Sequence, residues 1–264
     1  RARGPARSRR RGRPASSCVG PFASGTRSAI PARSPPKPEE PTIATAVLFD
    51  VDGTLVDSNY LHVHAWRRAF HELDRKVDSW RVHRAIGKGS GKLLSTLLGD
   101  EDAERVGDEA KELHSRFYLE TAELLRPFDQ APELVRALAA KDVRVVLATS
   151  AGPDELDVLR KALGVDDVVK DIVAGSDVEA TKPDPEPVKV ALEKAGTAPE
   201  DTIFVGDAVW DVRAATKAGV RTIGVLSGGV SAAELEEAGA IATYDDVAAL
   251  LADLEKSPLA TLFS

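Results

Sequence analysis

Methionine is absent from the 264 residues, and cysteine occurs once, as Cys18. A lone thiol outside the patterned part of the chain excludes a disulfide framework and a thiolate metal site, so the body suits a reducing compartment. No apolar run approaches the ~18 residues that a membrane span needs. A membrane partner is therefore not expected, and a cytoplasmic protein is. Positive charge is scarce once the N-terminal stretch is set aside. Residues 1–41 hold nine Arg and Lys37 against Glu39 and Glu40, a net charge of +8, whereas the remainder carries 25 basic against 40 acidic side chains, or −15.

That basic stretch, which begins RARGPARSRRRGRPASS, is rich in Pro, Ser, Gly and Arg and has almost no apolar periodicity. It cannot bury enough surface to fold, so residues 1–41 are expected to be a disordered tail. Three readings of it stay open: a truncated start or translated upstream sequence, a cleaved Arg/Ser-rich peptide addressing an organelle, and a nucleic-acid-binding arm. Nucleic acid is otherwise not an expected partner, and the assembly expected is a monomer or weak dimer.

From Thr42 onward, apolar β-type runs alternate with helical patterns. The runs are 44–49, 143–148, 171–174, 202–205 and 221–226, with helical stretches at 131–140, 154–163, 187–195 and 212–218. This rhythm predicts an α/β fold: a Rossmann-like, doubly wound parallel sheet with helices on both faces. The gap between the first two runs breaks it. Leu61, Ala65, Ala69 and Leu73 keep helical spacing, as do Val106, Ala110, Leu113 and Phe117, with no strand signal between them. The expected organisation is a catalytic core of 42–57 and 126–264 interrupted by a helical cap at 58–125.

The first apolar run ends in two carboxylates, Asp50 and Asp52, where an ionised side chain is costly unless a cation or hydrogen bonds compensate it. In an open parallel sheet, ligands gather beyond the carboxyl ends of the strands. Thr149 and Ser150, Lys182, and Asp207 with Asp211 follow later runs, so one crevice should collect carboxylates, a hydroxyl pair and an ammonium. That inventory suits a hard cation such as Mg²⁺ bridging a phosphate.

The ordered set FDVDGTLVDS, VVLATSAG, TKPDPEP and FVGDAVWDV resembles the four motifs of the haloacid dehalogenase-like superfamily, in its phosphatase branch with a small helical cap, similar to phosphoglycolate phosphatase and β-phosphoglucomutase. The resemblance covers about residues 44–255. It implies a Mg²⁺-dependent phosphomonoester hydrolase acting on a small phosphorylated metabolite. Asp50 would be the nucleophile that forms an aspartyl-phosphate, and Asp52 the general acid and then base. Thr149 and the Ser150 N–H would hold a phosphoryl oxygen near a helix N-terminus, and Lys182 would neutralise charge beside Asp50. The implied metal set is Asp50, the main-chain carbonyl of Asp52, and Asp207, with Asp211 orienting ligands or waters. Thr54 is expected to fix the turn by bonding nearby backbone. An acid at position 52 argues for a C–O–P substrate. Sugar-phosphate mutases of the superfamily carry a Lys-Asn pair after the second motif, where this chain reads Thr149-Ser150-Ala151-Gly152-Pro153, which weighs against that alternative. An idle interaction protein with a nucleic-acid-binding arm is the alternative from another class.

Within the insertion, HRAIGKGSGKLL at 83–94 fails the register of a Walker A loop and has no strand before it. It is read as a Gly-rich specificity loop, with Arg84 or Lys88 contacting a substrate anion. His62 and His64 point apart on a helix, so they suit no shared metal. His62 and Trp66 share a face and are read as packing.

Overall fold

The computed structural model describes residues 45–263, so the expectations for residues 1–41 and for Ala44 lie outside the described residues. Six parallel strands form one sheet: β1 (Ala46–Phe49), β2 (Arg144–Ala148), β3 (Asp171–Val173), β4 (Thr202–Gly206), β5 (Arg221–Val225) and β6 (Ala242–Tyr244), in the order β3-β2-β1-β4-β5-β6. The chain starts at the centre, builds outward through β2 and β3, then crosses to the other side of β1. The five expected runs each contain a strand. β6 was not anticipated, because its three residues, Ala-Thr-Tyr, are half-buried at a sheet edge and show no apolar run.

β1 is buried on both sides, and its alternation divides the core. Ala46 and Leu48 meet Val188, Ala191, Phe204 and Ala214 on one side. Val47 and Phe49 join Val145, Leu147, Ile203 and Val205 with Leu134, Leu138 and Leu250 on the other. This two-residue period is what places helices on both faces. One layer contains α7 (Glu186–Ala195) and α8 (Val209–Lys217). The other contains α5 (Ala131–Ala139), α6 (Pro153–Leu163) and α10 (Val247–Ala252). Burying one such Val, Leu or Phe contributes roughly 1.5–3 kcal/mol. α9 (Ala232–Ala238) lies between β5 and β6 in the chain.

Between β1 and α5 the chain forms α1 (Asn59–Glu72), α2 (Ser79–His83), α3 (Ser90–Leu98) and α4 (Asp100–Leu119). No strand occurs there among the described residues, only isolated bridges of Val56 to Asp52 and Pro127. α1 packs along α4, and α4 packs on α6, which brings the insertion against the carboxyl edge of β2. Among the described residues no helix is long and apolar enough to cross a membrane.

Candidate active site

Every strand of the central group ends at the same edge, and the residues just past β1, β2 and β4 meet there. Asp50, 4% exposed, follows β1; Asp207, 3% exposed, follows β4; fully buried Asp211 lies in the first turn of α8. One carboxylate oxygen from each of the three lies within 4.8 Å of the others. Lys182, also buried, stands 2.7 Å from Asp50 Oδ1 and 2.7 Å from Asp211 Oδ1, and its Nζ donates to the Ala148 carbonyl at 3.1 Å. Asp211 Oδ2 accepts the Ala208 N–H at 3.1 Å, so the side chain that holds Lys182 also caps α8.

Three carboxylates and one ammonium leave two negative charges uncompensated in a buried space. Burial pushes the Asp50 carboxyl well up; Lys182 opposes this, and Asp211, Asp207 and Asp52 add to it. Asp207 is pushed up to about 7, by burial first and then by Asp211. The charge deficit, the hard oxygen donors and their mutual spacing fit a divalent cation such as Mg²⁺. Glycine makes room for this crowding. A Cβ on Gly228 would lie 1.7 Å from Asp207 Oδ2, so the backbone there approaches the carboxylate as no other residue permits.

Thr54 bonds a side chain rather than nearby backbone. Its hydroxyl donates to Asp207 Oδ1 at 3.0 Å, and Asn59 Nδ2 donates to Asp207 Oδ2 at 3.0 Å. Two donors from the β1 end thus fix a carboxylate from the β4 end.

Asp52 faces the opposite way, toward the insertion. Its Oδ1 accepts from Ser58 Oγ at 2.6 Å and from His62 Nε2 at 3.1 Å, and its Oδ2 from Thr149 Oγ1 at 3.3 Å. His62 Nδ1 lies 3.0 Å from His114 Nε2, and His114 Nδ1 faces Glu155 Oε1 at 3.4 Å. Two protonation patterns satisfy the whole row, with the charge on either histidine; in one, a doubly protonated His62 donates to Asp52 and to His114, and neutral His114 donates to Glu155. The electrostatics favour the charge on His62. Burial raises the Asp52 carboxyl, but the charge and hydrogen bond of His62 and the Ser58 hydroxyl outweigh it and leave it lowered. Burial likewise opposes charge on His62, and Asp52 overcomes it. His114 is lowered by burial, while Glu155 is held down at about 2 despite burial, chiefly by His114. Stacking keeps the rings aligned: His62 lies over Tyr118 with centroids 4.0 Å apart, and Trp66 over His114 at 4.2 Å.

Residues 47–225 match the model of the haloacid dehalogenase-like hydrolase family. The chain belongs to this family. A phosphoglycolate phosphatase from Rhodospirillum rubrum is 30% identical over 214 residues, covering 78% of this chain and 88% of the relative. An N-acetylmuramic acid 6-phosphate phosphatase from Pseudomonas aeruginosa is 30% identical over 186 residues, covering 69% and 82%. Among solved structures, a hydrolase from Pseudomonas syringae superposes with a TM-score of 0.76 at 35% identity, over 80% of this chain and 98% of that one.

In this hydrolase, Asp50, Asp52 and Ser150 line a cavity of about 330 Å³ together with His62, His114 and Glu155, roofed by Gly87 and Gly89 of the α2–α3 loop. Thr149 lies behind it, its hydroxyl engaged by Asp52 and by the Ala151 N–H at 3.1 Å; the residue capping α6 is Gly152. Arg84 and Lys88 line a different cavity, Arg84 paired with Glu234 and Lys88 donating to Thr96 Oγ1 at 3.1 Å. The structure does not bring them to Asp50. Their neighbours Gly87 and Gly89 line the cavity beside Asp50 instead, because a side chain at 88 projects to the far side of the loop. His62 is correspondingly more than packing. Asn59, His114 and Glu155 escaped notice in the sequence; Asn59 stands one residue past the first motif, whereas His114 and Glu155 carry no local signature and meet only through the packing of α4 on α6.

Proposed function

We propose that the protein is a Mg²⁺-dependent phosphomonoesterase that hydrolyses a small phosphorylated metabolite through an aspartyl-phosphate, with residues 58–125 acting as a cap over the site. The observation that carries this reading is the pairing of two differently treated carboxylates: Asp50 in the cation-seeking cluster beside Lys182, and Asp52 in a separate hydrogen-bonded row. Divergent environments on neighbouring carboxylates assign divergent roles.

A carboxylate oxygen of Asp50 attacks phosphorus as the bond from phosphorus to the leaving oxygen breaks, and Asp52 gives that oxygen a proton. In the second step Asp52 takes a proton from the water that attacks the aspartyl-phosphate, which frees phosphate and restores Asp50. His62 Nε2, 3.1 Å from Asp52 Oδ1, holds the proton that the acid role requires and orients the carboxylate. Lys182 keeps Asp50 in place and offsets charge on the transferring group. Asp50, Asp207 and the main-chain carbonyl of Asp52 would hold Mg²⁺, with Asp211 beside them; the ion would supply charge neutralisation for the phosphoryl oxygens. The Ser150 N–H and Thr149 would bind the phosphoryl group. The remaining cavity wall, with Lys111 and Ser115, would receive the rest of the substrate. The named activities of the two relatives, on phosphoglycolate and on N-acetylmuramic acid 6-phosphate, support a small phosphate ester.

The test is phosphate release over a panel of phosphorylated metabolites that includes phosphoglycolate. Asp50→Asn, nearly isosteric, is expected to abolish release from every substrate while the protein stays folded. Asp52→Asn is expected to cost less with p-nitrophenyl phosphate than with alkyl phosphates, because a phenolate departs with less help from an acid. Activity of wild-type size in Asp50→Asn refutes the assignment, and so does full activity after removal of divalent ions with a chelator.

A further inference from the structure

The largest cavity among those described, about 580 Å³, lies on the other side of the α2–α3 loop and shares no lining residue with the catalytic one. It is walled by α2 and α3 of the insertion and by α8 and α9 of the sheet layers. Its charged lining is four cations, Arg81, Arg84, Lys88 and Arg213, against Glu234 and Glu237. This is a local positive site on a body of strongly negative charge.

The cations are arranged in an unusual way. Arg84 is neutralised by Glu234. Among the described residues, Arg81, Lys88 and Arg213 have no carboxylate within ion-pair distance. Lys88 Nζ sits 4.2 Å from the centroid of the Trp210 ring and the Arg213 guanidinium 5.3 Å from the same centroid. Trp210 thus gathers two like charges around one indole, and their repulsion, added to burial, makes the Lys88 ammonium easier to deprotonate. Two converging cations without a counter-charge are organised for an anion that touches both. A second indole stands at the same cavity. Trp80 is 67% exposed and stacks on no other ring among the described residues, so its face is free, whereas that of Trp210 is taken by cations. The volume falls in the range of small-molecule sites, roughly 300–1,000 Å³.

We propose that this cleft is a second binding site, distinct from the catalytic cavity, for a nucleotide whose phosphates lie between Lys88, Arg213 and Arg81 and whose base stacks on Trp80. The catalytic reading is not needed for it. A ligand seated there holds α2 and α3 to α8 through the same short loop whose glycines roof the catalytic cavity.

The test is calorimetric titration of the full chain with ADP at low ionic strength without divalent ions, beside ribose 5-phosphate and inorganic phosphate. ADP is expected to bind one to one, and more tightly than either smaller probe. The Lys88→Gln/Arg213→Gln double variant is expected to weaken ADP by about tenfold or more. Trp80→Ala is expected to weaken ADP by about fivefold or more and to leave ribose 5-phosphate unchanged. Asp50→Asn is expected to bind ADP as the wild type does, which locates the site away from the catalytic cluster. The proposal is overturned if ADP does not bind, if the folded double variant keeps wild-type affinity, if Trp80→Ala weakens both ligands equally, or if Asp50→Asn abolishes binding.

Discussion

Glu155→Gln isolates the charge at the far end of the histidine row. Glu155 is 8% exposed, accepts the Gly152 N–H at 3.3 Å and faces His114 at 3.4 Å. Its carboxyl is held at about 2 instead of 4.5. A folded value below the unfolded one means stability that is fully present above about pH 4.5 and is lost as the pH falls toward 2. The full difference is worth about 3 kcal/mol near pH 6, and about 1.5 kcal/mol of it survives at pH 3. Gln keeps an acceptor for Gly152 and removes only the charge. Urea unfolding of wild type and variant at the two pH values is expected to give a stability gap of up to about 3 kcal/mol at pH 6 that shrinks by about half at pH 3. An equal gap at both values would show that Gln disturbs packing and that the charge contributes nothing. No gap at either would show that His114 does not hold Glu155 ionised.

The two buried histidines should titrate on opposite sides of 6.5, His62 above because Asp52 overcomes its burial, and His114 below because burial and the charge on His62 outweigh Glu155. Proton NMR of the imidazole resonances, assigned with His62→Asn and His114→Asn, checks the order, and the reverse order refutes the protonation pattern. Gly228→Ala drives a methyl group into Asp207 Oδ2 and is expected to weaken Mg²⁺ about tenfold or more, as measured by the Mg²⁺ dependence of turnover, while Gly91→Ala, whose Cβ would meet nothing within 4 Å, leaves that dependence unchanged.

Most of the scaffold was legible because its signals are local. The central strands read as apolar runs since helices bury them on both sides, whereas β3 at the edge is only partly buried; Asp50 and Asp207 directly follow buried strands, where a charge is costly without a partner. α8 begins at Val209, three residues before the periodic pattern, because Asp211 is spent as a cap and interrupts that pattern. The direction of Lys88 was not legible. Motif reading places a residue on a loop, but which side of the loop it faces depends on the positive φ of Gly87 and Gly89, 86° and 79°. The pairing of His114 with His62 spans 52 residues and joins two helices whose relative register no local pattern encodes.

The order of strands carries a consequence for the time at which a newly made chain gains chemistry. The bonds that define the acidic cluster close very long loops: Thr54 to Asp207 spans 153 residues, Asn59 to Asp207 spans 148, and Lys182 to Asp50 spans 132. β1 emerges from the ribosome first, yet its neighbour β4 follows only after β2 and β3 have taken the opposite flank. Until then the exposed edge of β1 lacks half its hydrogen-bond ladder, and Asp50 lacks Asp207 and Asp211, although Lys182 has already been made. At about 5–20 residues per second, the interval from residue 50 to residue 211 is roughly 8–32 s. A nascent chain in that window presents an unpaired central strand, the condition in which chaperones are needed. On the proposed chemistry, pairing of β4 with β1 completes fold and reactivity together, so translation products that stop short of α8 are expected to be inert rather than partially active.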